Sequence, residues 1–283
     1  MPSRHCASCN RRLDKFSFSK TQWSKPIGVS RCYSCVENGG GNHHHHQQQS
    51  DKVSQSARRN QSTKASFSIH ALNHPFAEGG FRWVAKGKYT EGERKGELCV
   101  CKWFKSGVVF ENTFFDLDIK AMHKALDLIK EWNSRNFISK VIKLNIPEVW
   151  RFESNSTIMA NSKVLQEPFI SNYQKFNSNT GWADESTPWP RVMQALSHFS
   201  YHASGGQFVL CDLQGGIYSN ACVLTDPVIL SRSKSYGVTD LGPRGISTFF
   251  SNHQCNEFCR SGWMKPNDQR QYYAHQAGTS MMR

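Results

Sequence analysis

No run of apolar residues in this chain approaches the roughly 20 that a membrane-spanning helix requires. Phe208 to Cys211 is among the longest. A spanning helix is therefore excluded, and no membrane partner is expected. The N-terminus, Met1-Pro2-Ser3-Arg4-His5-Cys6, has no apolar stretch behind its first charge, so no secretory signal is expected. The expected location is intracellular, cytoplasmic or nuclear. Acidic side chains are scarce: 22 Asp and Glu face 35 Lys and Arg among 283 residues, a formal net charge of +13. Residues 1–66 carry 11 basic and 3 acidic groups, so most of the imbalance sits in the first quarter of the chain. Such an excess suits a nucleic acid or another acidic partner, or simply a solvated arm. Internal repeats are also absent, which excludes a solenoid or propeller.

Cysteine is not scarce. Ten are present, and in a reducing compartment their paired spacing points to metal rather than disulfides. Cys6-x-x-Cys9 and Cys32-x-x-Cys35 have the two-knuckle spacing of a four-thiolate zinc site, each knuckle turning two thiolates toward one tetrahedral ion. Residues 1–36 are thus expected to be a small zinc-binding module with little core beyond Phe16, Phe18 and Trp23, folded largely by its metal. Arg4 and Arg31 are expected to steady the thiolates. From 37 to 66 the chain runs through Gly39-Gly40-Gly41, four histidines and three glutamines, then Ser, Asn and Arg with few apolar residues. That composition predicts a disordered linker, whose Ser50, Ser54, Ser56, Ser62 and Thr63 are expected to be accessible to phosphorylation.

From Phe67 the pattern is that of a folded α+β domain. Alternation predicts a strand with Leu98, Val100 and Lys102 on one face and Cys99, Cys101 and Trp103 on the other. Ile119, Met122, Leu126 and Ile129 recur at helical spacing across Asp116 to Trp132, behind acidic residues suited to a helix start. A second helix fits Arg191 to His202, followed by a strand at Gln207 to Cys211. The order predicts strands first and helices later.

Two segments carry chemistry. Phe208-Val-Leu-Cys-Asp212-Leu-Gln214 ends an apolar strand in two oxygen-bearing side chains, and Leu224-Thr-Asp226-Pro227 follows a short loop later. Together they fit a magnesium site, or else a strand-end aspartate and another in a turn. His253-x-Cys255-x-x-x-Cys259 offers three zinc ligands, with a helix predicted to bring the two thiolates to one face; His198 or His202 is available as a fourth. Buried thiols are the plainer alternative.

At these segments the chain resembles the α-kinases, the atypical protein kinases that include myosin heavy chain kinase and elongation factor kinase. The matching runs, in order, are Pro75-Phe-Ala-Glu-Gly-Gly-Phe-Arg82, Val100-Cys-Lys102, Gln166-Glu167-Pro-Phe-Ile, Lys175-Phe-Asn177-Ser-Asn179-Thr-Gly181-Trp182, Ala195-Leu-Ser-His198, Asp212-Leu-Gln-Gly215, Leu224-Thr-Asp226-Pro227, Asp240-Leu-Gly242-Pro-Arg-Gly245 and His253-x-Cys255-Asn-x-x-Cys259. The G-x-G-x-x-G, H-R-D and D-F-G signatures of conventional kinases are absent, as the resemblance implies. It further implies a two-lobed kinase-like fold over 67–268 with a structural zinc in the C-terminal lobe and a tail at 269–283. Lys102 resembles the lysine that holds ATP phosphates, and Arg82 after Gly79-Gly80 a residue covering them. Glu167 resembles the acid that meets the adenine, Asp212 the catalytic aspartate, and Gln214 and Asp226 the magnesium ligands. His198, His253, Cys255 and Cys259 match the family's zinc set, while Gly242 and Gly245 match its late glycine loop near the peptide side. The span between Gln214 and Asp226 looks longer than in the best-known members. The implied activity is magnesium- and ATP-dependent transfer of phosphate to serine or threonine of a protein substrate. The alternative is a catalytically inactive zinc-dependent adaptor, or a nucleic-acid-binding protein.

Overall fold

The computed structural model describes residues 3–7, 12–32, 36, 51–105, 114–184 and 186–281. The chain divides into two units, Met1–Ser54 and Gln55–Arg283. In the first, β1 (Ser3–His5) pairs antiparallel with β2 (Arg12–Asp14), with Arg4 opposite Leu13. A short helix, α1 (Lys20–Trp23), is capped by Ser19, whose hydroxyl accepts from the Gln22 amide. Its small core gathers Cys6, Phe18 and Cys32 against Leu13 and Trp23. Phe16, expected in that core, is instead 81% exposed. It sits in the middle of a 3-10 turn at Lys15–Ser17 that leaves Phe18 to meet Trp23 at 5.5 Å. The Arg4 guanidinium lies 3.9 Å over the Trp23 ring and donates to the Ser30 hydroxyl and the Lys25 carbonyl. The Cys32 amide donates to the Cys6 sulfur at 3.3 Å, so the first cysteines of the two knuckles meet. Cys9 and Cys35 lie outside the described residues, as does the stretch 37–50 of the expected linker with Ser50.

The second unit begins with β3 (Ala57–Arg58), β4 (Ala65–Ser66), α2 (Ile69–Asn73) and β5 (Ala77–Glu78), followed by β6 (Arg82–Tyr89) and β7 (Leu98–Phe104). After α3 (Phe114–Ser134) come β8 (Val141–Asn145), β9 (Glu148–Arg151), β10 (Lys163–Pro168) and β11 (Tyr173–Lys175). Then α4 (Pro188–Ala203) leads to β12 (Phe208–Cys211), β13 (Gln214–Ile217), β14 (Ala221–Thr225), β15 (Val228–Ser231) and α5 (Gly242–Asn252). An antiparallel sheet runs β4-β6-β7-β10-β9, with β5 also on β6. A mixed sheet runs β11-β13-β14-β8-β3, and β12 pairs with β15. Strands therefore do not give way to helices along the chain as the sequence order predicts. The C-terminal half builds a second sheet from strands of three to five residues, too short to show a period.

The faces follow the side-chain patterns. On α3, Ala121, Met122, Ala125, Leu126, Ile129 and Trp132 form the stripe that packs with Leu144, Leu196 and Leu210 in the main core. Prolines at positions 188 and 190 open α4, where their missing amides cost nothing. Trp132, Phe137, Phe199 and Trp263 close one end of this core with ring centroids 4.8–6.3 Å apart.

The linker expected over 37–66 does not extend through 55–66. There Ala57 and Arg58 pair with Leu144 and Asn145, and Ala65 and Ser66 pair with Tyr89 and Lys88. Ser56, expected to be accessible, is fully buried and accepts from Asn133 Nδ2 at 2.9 Å. Buried Asn60 donates to the Gln166 carbonyl at 2.9 Å and accepts from the Tyr89 hydroxyl. Polar side chains here satisfy buried partners, so low hydrophobicity does not mean disorder. The tail expected from 269 also packs back: the Ser247 hydroxyl bonds both the amide and carbonyl of Arg270, and Thr248 accepts from the Tyr272 amide at 2.9 Å. Among the described residues no helix is long and apolar enough to cross a membrane.

Replacing Asn60 with Ala leaves two buried partners unpaired and is expected to lower the unfolding free energy by about 1–3 kcal/mol in urea titration. An unchanged midpoint would mean that 55–66 is a linker after all.

Candidate active site

Antiparallel pairing of β6 and β7 sets Val84 opposite Lys102, and β10 sets Leu165 opposite it on the other side. Lys102 is thereby carried by a central strand and points into a cavity of about 650 Å³. Its ammonium meets Glu167 Oε1 at 2.5 Å, Asp226 Oδ2, and the Thr225 hydroxyl at 3.2 Å. Thr225 in turn donates to the Glu167 carboxylate. Burial works against this ammonium, but the Asp226 and Glu167 carboxylates outweigh it and raise its pKa. Burial raises Glu167 as well, against the pull of Lys102. Asp226 goes the other way: Lys102 and Arg82 overcome burial and hold its carboxyl below the ordinary value. Arg82 adds an ion pair to Asp118 and lies 3.9 Å from Asp226 Oδ1. Gly79 and Gly80 form the turn between β5 and β6, closed by the Gly79 amide on the Arg82 carbonyl at 2.8 Å, and both line the cavity.

The opposite wall comes from the second sheet and from the chain that leaves β12. Asp212 follows β12 with φ 58° and Asp226 follows β14 with φ 46°, left-handed conformations that aspartate tolerates better than most residues. Between them Gly215 has φ 155°, and a Cβ there would meet the Val223 carbonyl oxygen at 1.9 Å, so only glycine lets β13 lie against β14. The hairpin is in register with Gln214 opposite Thr225. The residues between Gln214 and Asp226 thus form a hairpin whose ends return together, so the span does not carry Asp226 away from Gln214. Gln214 Nε2 lies 3.5 Å from Asp212 Oδ2 and 3.4 Å from the Asp226 carbonyl. Asp212 is 1% exposed, and burial raises its pKa despite Lys175 at 2.9 Å. Its other oxygen accepts from the Thr279 hydroxyl at 2.7 Å.

Lys102, Arg82, Gly79, Gly80, Glu167, Asp212, Gln214 and Asp226 thus share one cavity. Gly242 and Gly245 do not line it; they belong to the first turn of α5, where Gly242 has φ 68° and a Cβ would strike the Lys234 side chain at 2.5 Å. Three contributors were missed by sequence reasoning. Lys175 is brought to Asp212 by β11–β13 pairing, which sets it opposite Gln214, a non-local register with no spacing signal. Asp118 looks like a helix-start acid, but the helix begins at Phe114 with only Asp116 in its first turn, and the fold gives Asp118 to Arg82. Thr225 lies inside the Leu-Thr-Asp-Pro run. Cys99 and Cys101 are fully buried and burial raises both thiols, Cys99 to about 11, so neither is poised to react.

A separate cluster lies between α4 and the chain after α5. One ligand atom from each of His198, His253, Cys255 and Cys259 lies within 4.8 Å of every other. His198 Nδ1 is 3.1 Å from His253 Nε2 and 3.7 Å from Cys255 Sγ, and Cys259 Sγ is 3.7 Å from His253 Nε2. The predicted helix over the cysteines is not formed: α5 ends at Asn252, and irregular chain with a turn at 257–258 carries His253, Cys255 and Cys259. His198 Nε2 bonds the Met264 carbonyl at 3.0 Å, which leaves Nδ1 as the lone-pair nitrogen. His202 accepts from the Met264 amide and lies outside the cluster. Burial lowers His198 to about 4 and His253 to about 3, so both imidazoles are neutral at pH 7.

The α-kinase family model matches residues 77–259. Alpha-protein kinase 1 of Dictyostelium discoideum is 31% identical over 192 residues, 65% of this chain and 13% of that protein. Alpha-protein kinase vwkA of the same organism is 38% identical over 96 residues, 33% of this chain and 15% of that protein. Human eukaryotic elongation factor 2 kinase is 37% identical over 109 residues, 37% of this chain and 14% of that protein. The chain therefore spans a small part of the length of these relatives. Among solved structures, the α-kinase domain of myosin-II heavy chain kinase A in complex with AMP-PNP is similar at TM-score 0.59 and 23% identity, covering 69% of this chain and 86% of that one. An α-kinase from Entamoeba histolytica is similar at TM-score 0.59 and 23% identity, covering 77% and 84%. These structures establish a shared fold.

Burial, opposed by Arg82, lifts the Asp118 carboxyl from its ordinary 3.8 to about 6. Between those values the folded protein holds a proton that the unfolded chain releases, so the stability Asp118 contributes is full below about pH 4 and lost as pH rises through 6. Wild type is expected to lose stability relative to Asp118→Asn across that window in thermal melts. A pH-independent difference would contradict the assignment.

Proposed function

This chain belongs to the α-kinase family, and on that premise we propose that it is an ATP- and magnesium-dependent protein kinase acting on serine or threonine hydroxyls. The observation that carries the reading is the meeting of the Lys102–Glu167–Asp226 set with the Lys175–Asp212 pair across one cavity. Phosphoryl transfer depends mostly on positioning and charge neutralisation, and this arrangement supplies both. Lys102 holds phosphate oxygens as a point charge, and Arg82 covers them from the turn after Gly79 and Gly80. Asp212 orients the acceptor hydroxyl and takes its proton. Lys175, beside that carboxylate, neutralises charge that develops on the transferred group. Glu167, expected at the adenine, spends its carboxylate on Lys102 and Thr225 and positions the lysine.

The donor set around Asp226 fits magnesium: its carboxylate, with the Gln214 side-chain oxygen, offers the hard ligands that ion prefers. Bound there, magnesium would supply positive charge to offset the negative charge of the ATP phosphates. Asp226 is paired with Lys102, and ATP phosphates would give the lysine another partner.

Zinc fits the His198, His253, Cys255 and Cys259 set. Tetrahedral zinc with ordinary bond lengths holds neighbouring ligand atoms about 3.3–3.8 Å apart, close to the spacings found here. Such an ion would tie α4 to the chain after α5. Cys6 and Cys32, with Cys9 and Cys35, are proposed to hold a second zinc in the N-terminal unit, which would serve substrate recruitment. No observation favours a nucleic-acid partner or an inactive adaptor over a kinase.

Radiolabelled phosphate transfer from ATP with magnesium to a generic basic protein tests the reading. Wild type, found by metal analysis to carry two zinc ions, is expected to transfer. Asp212→Ala and Lys102→Ala are expected to fall by about 100-fold or more. Equal transfer by all three, or none from zinc-loaded wild type, would refute it.

A further inference from the structure

The chain that leaves the His198 cluster does not trail away; it returns to the catalytic cavity. Beyond the Ser247 and Thr248 contacts on α5, residues 276–280 cross the loop after β11. Thr180 Oγ1 donates to the Gln276 carbonyl and accepts from the Gln276 amide, both at 3.2 Å. Asn179 Nδ2 donates to the Ser280 carbonyl at 2.7 Å, and its Oδ1 accepts from the Ser280 amide at 2.9 Å. These four bonds read only main chain, which every peptide carries. They fix the backbone on both sides of Ala277-Gly278-Thr279, and those three residues line the cavity.

Between the clamps, the Thr279 hydroxyl donates to Asp212 Oδ2 at 2.7 Å. Lys175 Nζ pairs with the other Asp212 oxygen at 2.9 Å and lies 3.5 Å from Thr279 Oγ1. An alcohol is thus presented with its hydrogen on a buried carboxylate and a cation beside its oxygen, the arrangement a phosphoacceptor needs. A Cβ at Gly278 would meet nothing within 4 Å, so the neighbouring residue leaves space beside the hydroxyl.

We propose that Thr279 is an intramolecular phosphoacceptor, and that residues 276–280 occupy the groove in which this cavity receives an acceptor peptide. The inference rests on the kinase reading above. In the step, Thr279 Oγ1 forms a bond to the γ-phosphorus of ATP while the bond from that phosphorus to the β–γ bridging oxygen breaks. ADP leaves with the electron pair, and the hydroxyl proton passes to Asp212. Asn179 and Thr180 read backbone alone at 276 and 280, where the Gln276 side-chain amide donates to the Ser280 hydroxyl.

The test incubates the full chain with magnesium, labelled ATP and a generic basic protein, then maps the chain's phosphosites by mass spectrometry. Phosphate is expected on Thr279, with the fraction modified per minute unchanged over a tenfold range of protein concentration. Thr279→Ser is expected to keep label at that position, and Thr279→Val and Asp212→Ala to lose it. Labelled basic protein beside unmodified Thr279 would overturn this inference and leave the kinase reading intact. A fractional rate rising with protein concentration would mean transfer between molecules and overturn the intramolecular step. Absence of transfer to either acceptor would overturn the kinase reading, and this proposal with it.

Discussion

A buried lysine, a buried arginine and three carboxylates share one cavity lined from both larger sheets of the second unit. None of these charges is tolerable alone, since an unpaired ion in such a place costs several kcal/mol. Arg82 arrives on β6, Lys102 on β7, Asp118 on α3, Glu167 on β10 and Asp226 after β14. Each is held by at least one ion pair with another member. The pairing register of the first sheet is therefore an electrostatic constraint as much as a packing one. A slip of one residue in β7 would turn Lys102 to the opposite face and leave Glu167 and Asp226 without their cation. Carboxylates outnumber cations here; burial raises the pKa of Asp118 and Glu167, and the neighbouring Asp226 carboxylate adds to the rise. A cavity short of positive charge suits a metal ion arriving with a nucleotide.

The second sheet meets this constraint with backbone rather than bulk. Asp212 and Asp226 both take left-handed conformations at strand ends, and Gly215 permits the close hairpin that brings them together. The cost of these conformations is offset by what surrounds them: Leu213 and Leu224 are fully buried, and Asn177 Oδ1 accepts from the Leu213 amide at 2.8 Å. The same loop that begins with Asn177 supplies Asn179 and Thr180 to the returning C-terminal segment. One loop thus connects core packing, the Asp212 backbone and the acceptor side of the cavity.

Much of this was legible in the sequence because it is local. The face alternation of β7 put Lys102 where it is found, and the 3.6-residue stripe of α3 matches within two residues at each end. The resemblance to α-kinases rests on short ordered runs, and those runs hold most of the side chains that line the cavity. What was not legible depends on pairing between distant segments. Lys175 acquires its role only when β11 pairs with β13. Strands such as β3 and β4 have two residues each, too few for any period, and their polar neighbours Ser56 and Asn60 resemble a disordered chain until Asn133, Tyr89 and Gln166 are seen to meet them. The return of residues 270–280 rests on hydroxyl-to-backbone bonds from Ser247, Thr248 and Thr180, which leave no mark in composition.

On the proposed function, the charges of this cavity form one exchangeable set, in which nucleotide would replace Asp226 on Lys102 and a metal ion would replace Lys102 on Asp226. Calorimetric titration of ATP into the full chain, with and without magnesium, tests it most directly when wild type is run beside Asp226→Asn. Magnesium is expected to tighten ATP binding to wild type by tenfold or more and to have little effect on the variant. Equal tightening in both proteins would contradict the exchange and remove Asp226 from the metal site.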